Sequence, residues 1–304
     1  MSEGTQLITS EGTQLIREEP LPKVNEFRRF VRVFLSRGVV VFGIVTIGLA
    51  ILAAILAPLI APYDPYAQSL DTVLQSPSLP HLLGTDSLGR DTLSRIIFGT
   101  RITLMVGVGT VLIAACLGTI VGLVAGYFGG WTSTIIMRFT DGIMAWPPLL
   151  LALVIAALLG TGVKGVVIAI SFALFPGYIR LINGQVLSVK ENEYVMAARS
   201  VGVGRVGIMF RHILPNCLSP LIVQMTMMMG LAIITEATLS FLGLGIKPPS
   251  AAWGSMVYDG YKYLVMRPIL SIAPGVAIGL VVFAFNMIGD GLRDALDPRL
   301  RGTL

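Results

Sequence analysis

Residues 39–60 read VVVFGIVTIGLAILAAILAPLI, 22 consecutive positions without a charged or amide side chain. An α-helix rises about 1.5 Å per residue, so this run is long enough to cross a hydrocarbon core of about 30 Å. It follows 38 mostly polar residues and lacks a nearby small-residue cleavage pattern, so it reads as an uncleaved first span. Five more apolar runs follow, at Ile102–Tyr127, Ala145–Leu159, Val163–Leu187, Leu218–Leu242 and Ile269–Ile288. The pattern predicts an all-α integral membrane protein with six transmembrane helices. Pro58, Pro62 and Pro65 end the first span, while Trp146, Pro147 and Pro148 interrupt the start of the third.

Composition agrees with a lipid solvent. Of 304 residues, 54% are hydrophobic and 13% charged, against about a quarter charged in soluble domains. The net charge of +5 does not indicate nucleic acid, because the basic residues flank apolar runs and form no patch on a soluble domain. Fifteen of the 22 Lys and Arg fall before the first span, at Arg138, within 180–211 or after the sixth span. With both termini cytoplasmic, these all lie on the inner side. The segments 63–101 and 243–268 then face out.

Domain divisions follow from the same pattern. Residues 1–23 repeat SEGTQLI at 2–8 and 10–16, too short and polar for a folded repeat, and are expected to be disordered. Residues 24–37 carry Phe27, Phe30, Val31 and Phe34 on one helical stripe, with Arg28, Arg29 and Arg32 off it. That spacing predicts an amphipathic interfacial helix, or a short surface helix without a lipid role. Residues 38–304 form the transmembrane domain.

Chemical motifs are scarce. No GxxxxGK[ST] phosphate loop and no HExxH occurs, His81 and His212 fall on opposite sides, and Cys116 and Cys217 sit in or beside apolar runs. The chain is therefore not expected to be an enzyme, nor to bind ATP, a metal or another cofactor itself. The first four spans hold almost no ionisable side chain and the fifth only Glu236, so energy for uphill transport would come from a partner. A passive channel, a secondary carrier and a membrane scaffold are the alternatives.

The polar stretch 191–216, ENEYVMAARSVGVGRVGIMFRHILPN, holds two short amphipathic patterns. Tyr194, Ala197, Ala198 and Val201 form one stripe, ended by Gly202 and Gly204. Val206, Met209, Phe210 and Ile213 form another, stopped before Pro215. Small residues at Ala197 and Ala198 suit a close-fitting protein groove; packing on the chain's own spans is the other reading.

This stretch resembles the EAA motif of ABC importer permeases, the cytoplasmic coupling helix on which an ATPase docks. Met196-Ala197-Ala198, Gly202 and Leu214-Pro215 match it, with Met196 and His212 replacing the motif's Glu and Ile. LGTDSLGRDTLSR at 83–95, LSFLGLGIKPPSAAWG at 239–254 and GDGLRDALDPR at 289–299 are similar to the peptide and nickel branch, in its dipeptide or oligopeptide permease C type. The resemblance implies a type I ABC importer transmembrane domain in a bacterial or archaeal plasma membrane. Its partners would be a second homologous permease, two cytoplasmic ATPases that bind ATP and Mg, and an extracytoplasmic solute-binding protein. It also implies an ATPase-coupling role for Glu193, Tyr194, Ala197, Ala198, Gly202, Leu214 and Pro215. Peptides are the implied solute, with glutathione and nickel chelates as alternatives.

Several residues carry two readings. Asp86, Arg90, Asp91 and Arg95 either cap and pair locally or contact partners on the outer face, and Trp253 beside Pro248 and Pro249 is either an interfacial anchor or a docking contact. Met225, Met227, Met228 and Met229 either pack or line the translocation pathway. Glu236 is a pathway acid or a buried, hydrogen-bonded carboxyl. Asp290, Arg293, Asp294 and Asp297-Pro298 read as a polar helix exit, and the resemblance suggests contact with a neighbouring subunit. Gly118, Gly122 and Gly126 give the small-xxx-small spacing of close helix packing.

Overall fold

The computed structural model describes residues 26–296. The SEGTQLI repeat, the side chains of Phe27, Arg28 and Arg29, and Asp297-Pro298 lie outside what it describes. Eleven helices follow in order: α1 (Glu26–Leu35), α2 (Gly38–Ile60), α3 (Thr92–Phe128), α4 (Gly130–Met144), α5 (Pro148–Leu159), α6 (Val163–Val189), α7 (Glu193–Ser200), α8 (Arg205–Gly207), α9 (Leu214–Phe241), α10 (Trp253–Tyr261) and α11 (Ile269–Leu296). A π-helical segment, Ile208–Ile213, joins α8 to α9. Among the described residues there is no strand, only an isolated bridge between Thr85 and Asp91.

α2, α3, α6, α8 through α9, and α11 are each long and apolar enough to cross a membrane. The third crossing differs from the expected helix over 145–159: α4 and α5 meet at 88° across a three-residue break. The reason is local, since Pro147 and Pro148 lack N–H donors and each disfavours helix in the residue before it. α5 therefore restarts with Pro148 in its first turn.

Helix packing decides that this bent pair is a full crossing. A Cβ added at Gly118 would lie 2.5 Å from the Tyr178 Cβ; at Gly122 it would meet the Ile179 carbonyl oxygen at 2.7 Å, and at Gly126 the Val186 Cβ at 2.7 Å. Numbers rise together along both helices, so α3 and α6 are parallel, and α4–α5 must carry the chain back between them. α9 and α11 pack antiparallel, with Gly230 against Val282 and Asn286, and Gly289 against Met227. Gly43 and Gly291 let α2 close on α11, where Arg37 pairs with Asp294 at 2.6 Å. Both described ends of the chain therefore lie at one end of the bundle, here the terminal end.

Packing at the α3–α6 seam is tight enough to test. Gly122→Leu should force the two backbones apart and destabilise the bundle by about 1–3 kcal/mol or more, read as a lowered midpoint for thermal aggregation in detergent. Gly177→Ala, on the same α6 with open space around its Cα, should leave the midpoint unchanged.

Candidate functional site

At the far end, the loop 61–91 folds onto the start of α3. Asp86 Oδ1 accepts from the N–H groups of Leu88 (2.9 Å) and Arg90 (3.0 Å), and its Oδ2 pairs with Arg90 Nε at 2.7 Å. Gly89 supplies the positive φ (71°) this turn needs. Asp91 caps α3, accepting from Ser94 N at 2.8 Å and Ser94 Oγ at 2.7 Å, and its other oxygen meets His81 Nδ1 at 2.9 Å.

Arg95, 2% exposed, donates to the carbonyls of Pro65 (3.0 Å), Pro249 (3.4 Å) and Ser250 (3.5 Å). Trp253 Nε1 donates to the Ile96 carbonyl at 2.9 Å. The blocks 83–95 and 239–254, distant in sequence, are thus clamped into one cap. Outer-face contact by Asp86, Arg90, Asp91 and Trp253 is corrected here: Arg90, Asp91 and Trp253 are at most 3% exposed and Asp86 is committed to the internal turn. In the connections at this end the most exposed large apolar side chains are Leu70, Leu79, Val265 and Met266. No periodicity marks them, because they sit in loops.

At the terminal end, α7 closes with a Schellman turn. Gly202, at φ 83°, donates to Arg199 O at 3.1 Å, and Val203 N donates to Ala198 O at 3.1 Å. The buried face of α7 is Val195 and Ala198, packed near Ile208, Met209 and Ile213. The predicted stripe is therefore split: Ala198 belongs to the chain's own core, whereas Glu193, Tyr194, Ala197 and Val201 are exposed. The second amphipathic helix does not stop before Pro215. It runs through the π segment into α9, whose first turn holds Leu214 and Pro215. A widened turn ahead of the proline relieves the clash its ring makes with the carbonyl four residues back. Val206, Phe210, Tyr194, Met196 and Val201 are all exposed apolar side chains at this end.

Within the spans, Glu236 is 1% exposed and its Oε1 accepts from Ser240 Oγ at 2.7 Å; Ser240 Oγ in turn accepts from Ile246 N at 3.0 Å. The carboxyl thus braces the turn after α9 and opens on no pathway in this conformation. Met229 is buried, and Met225 and Met228 pack against the core. Two features escaped sequence reading. Arg180 on α6 pairs with Asp141 on α4 at 2.6 Å, both about half exposed on the bundle surface. A cleft of about 680 Å³ opens between α6, α9 and α11, with Met227, Gln185, Gln224 and Arg293 on its walls. Isolated polar residues in three separate helices carry no linear signal, since only folding brings them together.

Six crossings, a rigid cap at one end and an exposed apolar segment at the other define a membrane permease of a transport system. Residues 118–302 match the family described as binding-protein-dependent transport system inner membrane component, and residues 25–77 match the N-terminal TM domain of oligopeptide transport permease C. The glutathione transport system permease protein GsiD of Pectobacterium atrosepticum is 44% identical over 276 residues, 90% of this chain and 92% of that protein. Its namesake from Escherichia coli O6:K15:H31 is 43% identical over 277 residues, 91% and 90% of the two chains. A Brucella suis protein named as a peptide transport system permease is 44% identical over 259 residues, 85% and 87%. The chain belongs to the binding-protein-dependent transport system inner membrane component family, and is a permease subunit of an ABC importer. That membership implies ATPase and binding-protein partners in general.

The cap yields its own test. Arg95→Met leaves three carbonyls without their donor, and Trp253→Phe removes one hydrogen bond worth about 1 kcal/mol. Limited proteolysis of membranes should cut within 63–91 many-fold faster in Arg95→Met, with only a small change in Trp253→Phe.

Proposed function

We propose that this chain forms half of the translocation unit of a bacterial inner-membrane importer for peptide-sized solutes, glutathione among them, and that 191–216 couples it to two ATPases. The observation that carries the reading is the exposure of five large apolar side chains, Tyr194, Met196, Val201, Val206 and Phe210, where the chain turns back between α6 and α9. Outside lipid, such a patch needs a protein partner. Ala197 is exposed beside it and lets a groove approach closely. ATP and Mg belong to those ATPases; this subunit moves rigid helices and performs no covalent chemistry.

Peptide or glutathione as solute is supported by what the relatives are named for. A second, related permease covers the α4–α6 face, because the Arg180–Asp141 pair lies within crossing helices and intramembrane charges face protein or water, not lipid. The solute-binding protein meets the far end at Leu70, Leu79, Val265 and Met266.

With most basic residues at the terminal end, both termini are cytoplasmic. In a background lacking Cys116 and Cys217, Leu79→Cys should react with an impermeant thiol reagent added to intact spheroplasts, and Ser200→Cys only after the membrane is opened. Labelling of both from outside sinks this orientation.

Coupling is tested by substitution on the exposed face. Val201→Glu and Val206→Glu place a charge where docking must exclude water, at a cost of several kcal/mol. Both should release the ATPases in pull-downs and abolish uptake while the two permeases stay paired. Gly202→Val, strained at φ 83°, should do the same. Ala198→Arg should instead lower the amount of folded permease, since Ala198 is 8% exposed. Normal ATPase retention by all the surface variants would remove this segment from coupling.

A further inference from the structure

The cleft between α6, α9 and α11 has walls unsuited to lipid. Gln224 lies ten residues into α9, about 15 Å along the helix, and lines the opening together with Gln185 of α6. Neither amide enters a hydrogen bond among the described residues. Asn216 donates to the His212 carbonyl at 2.8 Å, leaving its own oxygen free, and Ser219 lines the wall beside it. Amides without partners are strongly disfavoured in hydrocarbon. α6 and α9 nevertheless turn amide and hydroxyl groups into one space that α11 borders with Arg293, so water or a polar solute fills it.

Among the described residues the charge on these walls has one sign. Arg293 of α11 is the single ionisable side chain on the described lining, which holds no carboxylate, thiol or imidazole. Asp294 beside it is engaged by Arg37 at 2.6 Å, and Asp290, a turn earlier on α11, is exposed but not on the walls. A guanidinium presents a fork of donors that fits a carboxylate, while side-chain amides donate to and accept from peptide groups. Val223, Met227 and Leu181 supply adaptable apolar surface between the polar groups. The volume of about 680 Å³ lies within the usual range for small-ligand sites.

We propose that this cleft is the stretch of the pathway that touches the solute, and that it favours small peptides with free carboxylates, held by Arg293 and by the amides of Gln185 and Gln224. The proposal rests on the importer reading and narrows it to solutes that offer a carboxylate to Arg293.

The test uses the full chain, freed of Cys116 and Cys217 and co-expressed with its partner subunits, in inside-out membrane vesicles. Gln224→Cys and Gln185→Cys are exposed to an anionic and a cationic methanethiosulfonate, with rates normalised to a free thiol in solution. Both positions should label, and the anionic reagent should react about fivefold faster at position 224, the effect of one unit charge several ångströms away in a wet site. Arg293→Gln should abolish that preference. The thiol-free tripeptide γ-glutamyl-alanyl-glycine should slow labelling, whereas Ile222→Cys, exposed on α9 two residues before Gln224 and so on the opposite side of the helix, should stay unlabelled throughout. Absence of labelling at both cleft positions, or rates indifferent to reagent charge and to Arg293→Gln, overturns the proposal. ATPase pull-down and ATP-driven uptake by the cysteine-free parent are measured separately, so a failed importer reading is distinguishable from a failed cleft.

Discussion

Everything in this bundle hangs on one close contact, the parallel seam between α3 and α6. Gly118, Gly122 and Gly126 present bare backbone to Tyr178, Ile179 and Val186. In a membrane there is little hydrophobic gain from bringing two apolar helices together, so van der Waals contact across small residues has to hold them. Lys190 at the end of α6 adds a hydrogen bond to the Gly126 carbonyl at 3.2 Å. Because the two helices run the same way, the chain between them must cross back, and the bent α4–α5 pair becomes a span despite its prolines. The segment after α6 is thereby delivered to the end opposite the cap.

The two ends are built on different physics. At the far end charged side chains turn inward: Asp86 pairs with Arg90 and holds backbone N–H groups, Asp91 holds Ser94 and His81, and Arg95 donates to backbone carbonyls. Breaking one member of such a set exposes the rest to an unpaired state, which makes the cap rigid. At the terminal end the polar requirements are met by backbone turns, the Schellman closure at Gly202 and the π segment before Pro215, and apolar side chains are left outside. A rigid cap and a surface needing a partner suit a subunit that transmits motion from one end to the other.

The four methionines and Glu236 attracted attention in the sequence as pathway candidates, and the fold gives most of them structural work. Glu236 sits one helical turn from Ser240, so its carboxyl is satisfied locally and links α9 to Ile246. Met229 packs inward, and Met227, half a turn away, reaches the cleft. Polarity facing that cleft comes from glutamines that looked unremarkable one at a time.

The sequence by itself determined the solvent, the class and the family, because runs of 20 apolar residues, the basic asymmetry and ordered motif blocks are local properties of the chain. It also determined which glycines approach another helix and where α7 must end, since spacing and the φ demands of Gly202 are written within one turn. Only the tertiary structure decided that the charges of 83–95 lie buried against 249–253, that Ala198 faces inward while Val201 faces out, and that Arg180 meets Asp141. It likewise decided that Gln185, Gln224 and Arg293 share one cleft. These depend on contacts between residues tens to hundreds of positions apart, and the helical period that reveals an apolar face does not say which neighbour covers it.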